Sequence, residues 1–135
     1  MTMISRPFLT IVEADQIMAS ARATAEKQGV SVTICIVDAG GHLQRLDRMD
    51  GASLISLRVA EGKARTAVEL KTPTAALEQA VASLPSMIAI ENIYPFRGGV
   101  PLHHDGHCLG AIGVSGALPD QDEKVALSGA QAFAP

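Results

Sequence analysis

Aromatic side chains are scarce in this sequence, which has no Trp, one Tyr and three Phe among 135 residues. Few rings are therefore present to stack on a base or a flat ligand, and the core must consist of Ala, Val, Ile and Leu. Hydrophobic residues still make up 47% of the chain and charged residues 19%, as in globular proteins. A chain of this length forms one hydrophobic core, so we expect a single domain over residues 1–135.

Clusters of basic residues and long apolar runs are also missing. The net charge is −3, and Lys and Arg are scattered, so we expect no nucleic-acid partner. No apolar run approaches the roughly 18 residues that span a bilayer, so we expect no membrane partner. The first nine residues do not have the pattern of a secretory signal. We therefore expect a cytoplasmic protein.

Cysteine is limited to Cys35 and Cys108, and both lie in segments with strand-like sequences. We expect two buried, reduced thiols, as is usual in cytosolic proteins. A disulfide between them or a metal bound by either alone is less favoured.

Local signals predict four helices and four strands. Thr10 and Glu13 form a capping box and Gly29 ends the helix, which predicts a helix over Ile11–Gln28. The other predicted helices cover residues 53–70, a short segment from Pro73 to about Leu84, and a last segment capped by Asp120 with Glu123. The predicted strands cover residues 32–37, 43–47, 93–102 and 108–115, and residues 87–92 fit neither class.

The strands form two hairpins in the order α-β-β-α-α-β-β-α. This order predicts an α+β domain with a mainly antiparallel sheet and helices packed on it. Glycine-rich segments occur, but none precedes a helix in the arrangement that binds nucleotide phosphates.

Several motifs occur together in a defined order. They are Val37-Asp38-Ala39-Gly40-Gly41-His42-Leu43, Arg48-Met49-Asp50-Gly51-Ala52, Gly98-Gly99-Val100-Pro101-Leu102, Gly110-Ala111-Ile112-Gly113-Val114-Ser115-Gly116 and Gln121-Asp122-Glu123. With these motifs, residues 9–132 resemble the GlcG/HbpS-like family, which includes the C-terminal domain of some corrinoid adenosyltransferases.

The resemblance implies a three-layer α/β fold with a mainly antiparallel sheet of about five strands flanked by helices. It also implies a homo-oligomer, from a dimer to an octamer. Family members are described as haem-binding or haem-degrading proteins, or as accessory proteins of glycolate utilisation. We therefore expect a small-molecule-binding protein with haem as a candidate ligand, although no cofactor is firmly implied.

Two histidines flank the dipeptide Asp105-Gly106, which favours a type I′ hairpin turn. His104 and His107 then face each other across the strands, with Cβ atoms roughly 5 Å apart. Such a pair could hold a divalent metal or bind one side of a haem. His104 is also a candidate for proton transfer. The alternative is a solvated turn without a ligand.

The glycine-rich segment before this hairpin offers a second candidate site. Its candidate ligand-binding residues are Arg97, Gly98, Gly99, Val100 and Pro101. Exposed backbone N–H groups there could approach an anionic ligand, and Arg97 could pair with a carboxylate. The alternative is a β-bulge that bends the sheet.

Lys63 aligns with a lysine that is usual in the family. It either belongs to a solvent-facing charged stripe or is a desolvated lysine at a subunit interface, where it could bind an anion or move a proton. The second possibility supports an alternative function, a cofactor-independent enzyme acting on a small oxo- or hydroxy-acid held near Arg97. A third hypothesis is an oligomer without chemistry.

Asp38 and Asp122 complete the candidate ligand-binding residues. Each also has a structural interpretation, since Asp38 lies at a turn. Asp122 suits the first turn of a helix, where the helix dipole favours an acid.

Overall fold

Two β-hairpins alternate with helices along the chain in the computed structural model, which describes residues 2–133. The helices are α1 (Ile11–Gln28), α2 (Leu54–Leu70), α3 (Thr74–Ser83) and α4 (Pro119–Ala132), with a short 3₁₀ helix at Pro85–Ala89. The strands are β1 (Thr33–Asp38), β2 (Leu43–Arg48), β3 (Gly99–His104) and β4 (His107–Ser115). The predicted order of elements is confirmed, with the 3₁₀ helix in addition.

Helix α1 has the predicted ends. The backbone N–H of Glu13 donates to the Thr10 hydroxyl at 3.2 Å, and the Glu13 carboxylate accepts from the Thr10 backbone N–H at 3.0 Å. Gly29 ends the helix in the left-handed conformation, with φ of 70°. The local capping signals therefore determine this helix.

The segment before β3 differs from the prediction of a strand over residues 93–102, because β3 begins only at Gly99. The backbone N–H of Tyr94 donates to Thr66 Oγ1 at 3.1 Å, and that of Phe96 donates to Tyr94 O at 2.9 Å. Pro95 has no backbone N–H. These residues therefore have no N–H groups left for pairing with a strand.

Helix α4 begins earlier than predicted, at Pro119, so the prediction that Asp120 caps it is wrong. Pro is favoured at the first helical position, where its missing N–H would have had no partner. The Leu118 backbone N–H donates to Gln121 Oε1 at 3.1 Å. Gln121 therefore occupies the capping position that was expected for Glu123.

Within residues 2–133 the sheet has four strands, in the order β2-β1-β4-β3, and all neighbouring strands are antiparallel. The four strands predicted from local signals are confirmed, and the number of about five implied by the family resemblance is too high by one. Pro101 lies on β3, an edge strand, where its missing N–H interrupts no central ladder. The pairing register shifts after Leu102, so Leu109 on β4 has no opposite residue and forms a bulge.

Helices cover both faces of the sheet, which confirms the three-layer α+β architecture. Large aliphatic side chains, including Ile17, Ile34 and Ile112, fill the core between the sheet and helices α1 and α4. On the opposite face, α2 packs through small side chains such as Ala60 and Ala64. No helix within residues 2–133 is both long and apolar enough to cross a membrane.

Glycines on β3 and β4 allow the backbone of α2 to lie directly on the sheet. A Cβ added at Gly113 would lie 2.1 Å from Ala60 O, and one at Gly99 would lie 2.4 Å from Lys63 O. Gly99 and Gly113 are opposite each other in the register of the two strands. Because neither residue has a side chain, the backbone of α2 contacts β3 and β4 directly at this pair of glycines.

Gly62 on α2 contacts an aromatic ring rather than the sheet. A Cβ at Gly62 would lie 2.3 Å from ring carbons of Tyr94. The missing side chain makes room for an aromatic ring, which covers α2 beside the loop before β3.

Gly113→Ala is expected to lower the free energy of unfolding by about 1–3 kcal/mol, because the new methyl group forces α2 away from the sheet. Urea unfolding followed by circular dichroism measures the change. Gly40→Ala is the control, since its methyl group in an exposed loop would meet mainly the His42 ring, at 3.0 Å. Equal losses in the two variants would contradict this account of the packing.

Candidate functional site

Lys63 lies inside the protein, with only 3% of its surface exposed. Its Nζ donates to Val114 O at 2.9 Å and to Asp122 Oδ2 at 3.1 Å. The interpretation of Lys63 as part of a solvent-facing charged stripe is therefore wrong. The lysine is desolvated, as the alternative required, but its partners belong to the same chain.

Asp122 lies in the first turn of α4 and is also buried. Its Oδ1 accepts from the Ala117 backbone N–H at 3.0 Å, so the carboxylate closes the turn that enters the helix. Burial raises the pKa of Asp122 and lowers the pKa of Lys63, while the attraction between the two charges opposes both shifts. The pair therefore joins α2, β4 and α4 in the interior.

The Gly98-Gly99 segment packs around this ion pair. Gly98 has φ of 126°, and a Cβ there would lie 2.6 Å from Val114 O and 2.9 Å from Lys63 Nζ. The Gly99 N–H donates to Thr74 Oγ1 at 2.9 Å. Residues 98–101 are all buried, so the expected wall of exposed amides is not present. The segment, including Val100 and Pro101, faces the protein interior.

Arg97, the residue expected to hold a ligand carboxylate, is paired with carboxylates of the chain itself. Its Nη1 lies 2.7 Å from Asp120 Oδ1, and its Nε lies 3.3 Å from Glu78 Oε1. Its backbone N–H also donates to Glu78 Oε2 at 3.0 Å. Asp120, with a further contribution from Glu78, raises the pKa of Arg97. Arg97 therefore links α3 to the start of α4.

The β3–β4 turn has the predicted geometry. Asp105 and Gly106 both have positive φ, 48° and 75°, as a type I′ turn requires. His104 and His107 are opposite each other, while His103 pairs with Cys108. Within residues 2–133 no group of three His, Cys, Asp or Glu side chains is arranged to hold a metal ion. The metal site at His104 and His107 therefore stays a prediction.

The two residues proposed for proton transfer lie at opposite ends of one hairpin. Lys63 is at the base beside Gly99, whereas His104 is at the tip, five residues further along β3. At the rise of an extended strand this separation is roughly 17 Å. Lys63 and His104 cannot act on one small substrate in this arrangement.

Asp38 ends β1 at the same end of the sheet as the hairpin tip. Its Oδ1 accepts from the backbone N–H of Gly40 at 2.9 Å and of His42 at 3.0 Å, as expected of a turn residue. Asp38 also lines an open groove of about 380 Å³ together with Arg6 and Phe8. Sequence patterns missed these two residues, because they precede the first helix and carry no motif.

A larger groove of about 570 Å³ runs along β2, and four of its six charged side chains form ion pairs, all except Arg48 and Asp50. Arg22 lies 3.1 Å from Asp47, and Arg45 forms an ion pair with Asp15. These contacts link α1 to the edge strand. Most of the charge in this groove therefore belongs to a surface ion-pair network between α1 and β2.

Both cysteines are free and buried, as predicted. Burial is the main cause that raises the pKa of Cys35 to about 12, so its thiol stays protonated at neutral pH. Cys35 therefore offers no thiolate for ligation or nucleophilic chemistry.

A family model described as haem degrading protein HbpS-like matches residues 9–131. The chain belongs to this HbpS-like family. The resemblance inferred from the motifs is thereby confirmed. Protein GlcG of Escherichia coli K12 is 36% identical over 103 residues, which cover 76% of this chain and 77% of GlcG.

Solved structures of the HbpS-like family share the fold. A double mutant of HbpS from Streptomyces reticuli has a TM-score of 0.91 and 33% identity, covering 98% of this chain and 92% of HbpS. A PduOC:haem complex has a TM-score of 0.85 and 32% identity, covering 93% of this chain and 95% of PduOC. The likeness therefore extends over nearly the whole domain.

Lys63→Met is expected to lower the free energy of unfolding by about 3–5 kcal/mol, because it leaves the Asp122 carboxylate buried without its partner. Adding Asp122→Asn should restore part of the loss, since it removes the unpaired charge and keeps an oxygen for the Ala117 N–H. Urea unfolding measures both variants.

Lys124→Met is the matched control, because Lys124 is exposed on the neighbouring helix and should change stability little. A loss below about 1 kcal/mol for Lys63→Met would contradict a central role of the ion pair.

Proposed function

We propose that this HbpS-like protein binds haem. The observation that carries the proposal is its likeness to PduOC, whose structure was solved as a haem complex, at 32% identity over 93% of this chain. The chain has its own donors for such a ligand, since His104 and His107 are accessible at the tip of the β3–β4 hairpin. Imidazole is a common axial ligand of haem iron.

The hairpin tip has the chemistry that an iron ligand needs. The Asp105 carboxylate lies 3.4 Å from Nε2 of His104. A carboxylate beside one ring nitrogen orients an imidazole and leaves the other ring nitrogen for a ligand. His104 and His107 face each other across one turn. Either imidazole would hold the haem iron at the hairpin tip.

Bound haem would supply iron-centred ligand binding and redox chemistry. The protein's part is to present an imidazole of the hairpin tip to the iron.

The His104→Ala, His107→Ala double variant should bind haemin about tenfold more weakly than the natural chain, a loss of about 1.4 kcal/mol. The Soret band during haemin titration reports binding and the ligand state of the iron. His42→Ala is the control, since His42 is exposed but lies in the β1–β2 loop. The absence of any Soret shift with the natural chain would contradict the haem proposal.

We further propose that the protein forms a homo-oligomer. Four large apolar side chains in one segment are about half exposed or more, namely Leu84, Ile88, Ile90 and Phe96. A segment of this kind is typical of a surface that another subunit covers.

Ile88→Glu is expected to shift the protein toward monomer, because the new charge would be buried at the subunit contact. Light scattering coupled to size-exclusion chromatography measures the mass. Leu127→Glu, at an exposed apolar position on α4, should leave the mass unchanged. A monomeric natural chain would contradict the oligomer.

The alternative of a cofactor-independent enzyme stays a prediction. No contact in the described part of the chain favours it, since Lys63 is enclosed and Arg97 is paired with Glu78 and Asp120. Haem binding is therefore the function that we place first.

A further inference from the structure

An open groove lies where the residues before α1 pass the end of the sheet. Its apolar lining includes Phe8, Leu9 and the bulge residue Leu109. The Gln44 side chain donates to Leu9 O at 3.0 Å, which fixes the N-terminal segment against β2. Leu9 is anchored in the core, whereas Phe8 is 74% exposed. The groove therefore has a fixed apolar floor and a solvent-facing aromatic edge.

Two opposite charges line the same groove without pairing. Arg6 has no carboxylate within 4.0 Å among residues 2–133, in contrast to Arg22, Arg45 and Arg97. Asp38 uses Oδ1 for the two backbone N–H groups of its loop, and Oδ2 accepts no hydrogen bond from a described residue. A guanidinium and a carboxylate oxygen therefore both remain available to a ligand.

We infer that this groove binds a small zwitterion with an apolar body, of which an aliphatic α-amino acid is the simplest example. Arg6 pairs with the ligand carboxylate, which matches the planar fork of a guanidinium. Asp38 accepts from the ligand ammonium. Leu9 and Leu109 cover the aliphatic side chain, and a volume of about 380 Å³ leaves room for it.

The two unpaired charges of the groove favour a zwitterion over a ligand that carries a single charge. A ligand with a carboxylate alone leaves Asp38 unpaired and close to a second negative charge. A ligand with an ammonium alone places a positive charge beside Arg6. Only a molecule that carries both charges is complementary to the groove, and this assignment does not depend on haem binding.

Three probes of the same shape test the assignment: leucine, 4-methylpentanoate, which lacks the ammonium, and leucinamide, which lacks the carboxylate. Each is titrated into the ¹⁵N-labelled full chain, and the amide signals of Gly40, Gln44 and Leu109 are followed by NMR. Leucine should produce saturable shifts, with an affinity about fivefold above either partial probe.

Two charge-neutralising variants assign the contacts. Arg6→Gln should lower leucine affinity about fivefold and remove the preference over leucinamide. Asp38→Asn keeps an oxygen for the Gly40 and His42 N–H groups, and it should remove the preference over 4-methylpentanoate. Arg58→Gln is the control, since Arg58 is exposed on α2 away from the groove.

The inference is overturned by the absence of saturable shifts with leucine, by equal affinity in Arg6→Gln, or by shifts confined to residues 97–101. Haemin titration of the same sample separates the two proposals. Loss of the leucine response with an intact Soret shift refutes the groove alone. The opposite result refutes haem binding alone.

Discussion

The buried ion pair between Lys63 and Asp122 is the contact on which the arrangement of the helices around the sheet depends. Lys63 also donates to Val114 O, and Asp122 accepts from the Ala117 N–H. The two charges thus bind the backbone where β4 ends and the chain turns into α4. A buried charge without its partner is costly, so these elements hold their positions together. The ion pair also requires a glycine at position 98, since a Cβ there would lie 2.9 Å from Lys63 Nζ.

Features that rest on neighbouring residues could be predicted from the sequence. Thr10 and Glu13 define the start of α1, and Asp105-Gly106 defines the hairpin turn, because caps and tight turns depend on a few adjacent residues. The loop before β3 could not be predicted. The backbone N–H of Tyr94 donates to Thr66, on a helix 28 residues earlier in the sequence, and no local pattern shows that contact.

The candidate sites were predicted less well for the same reason. A lysine on a helix normally faces water, and only the packing of α4 on the sheet reveals that Lys63 is enclosed. Arg97 looked free because Glu78 and Asp120 lie on separate helices. Arg6 and Asp38 line one groove although 32 positions separate them along the chain. The pairing of His104 with His107 is the exception, because the two-residue turn between them is enough to predict it from the sequence.

The accessible donors lie at one end of the β3–β4 hairpin and the packed glycines and ion pair lie at the other. The contact of α2 with Gly99 and Gly113 tolerates little change, because a single added methyl group disturbs the interior. The buried ion pair is equally sensitive, because the loss of one partner leaves a buried charge. The turn at His104 and the segment at Arg6 are exposed, and substitutions there leave the core contacts intact. The residues at the tip can therefore vary while the same fold persists, which is why the fold alone does not name a ligand.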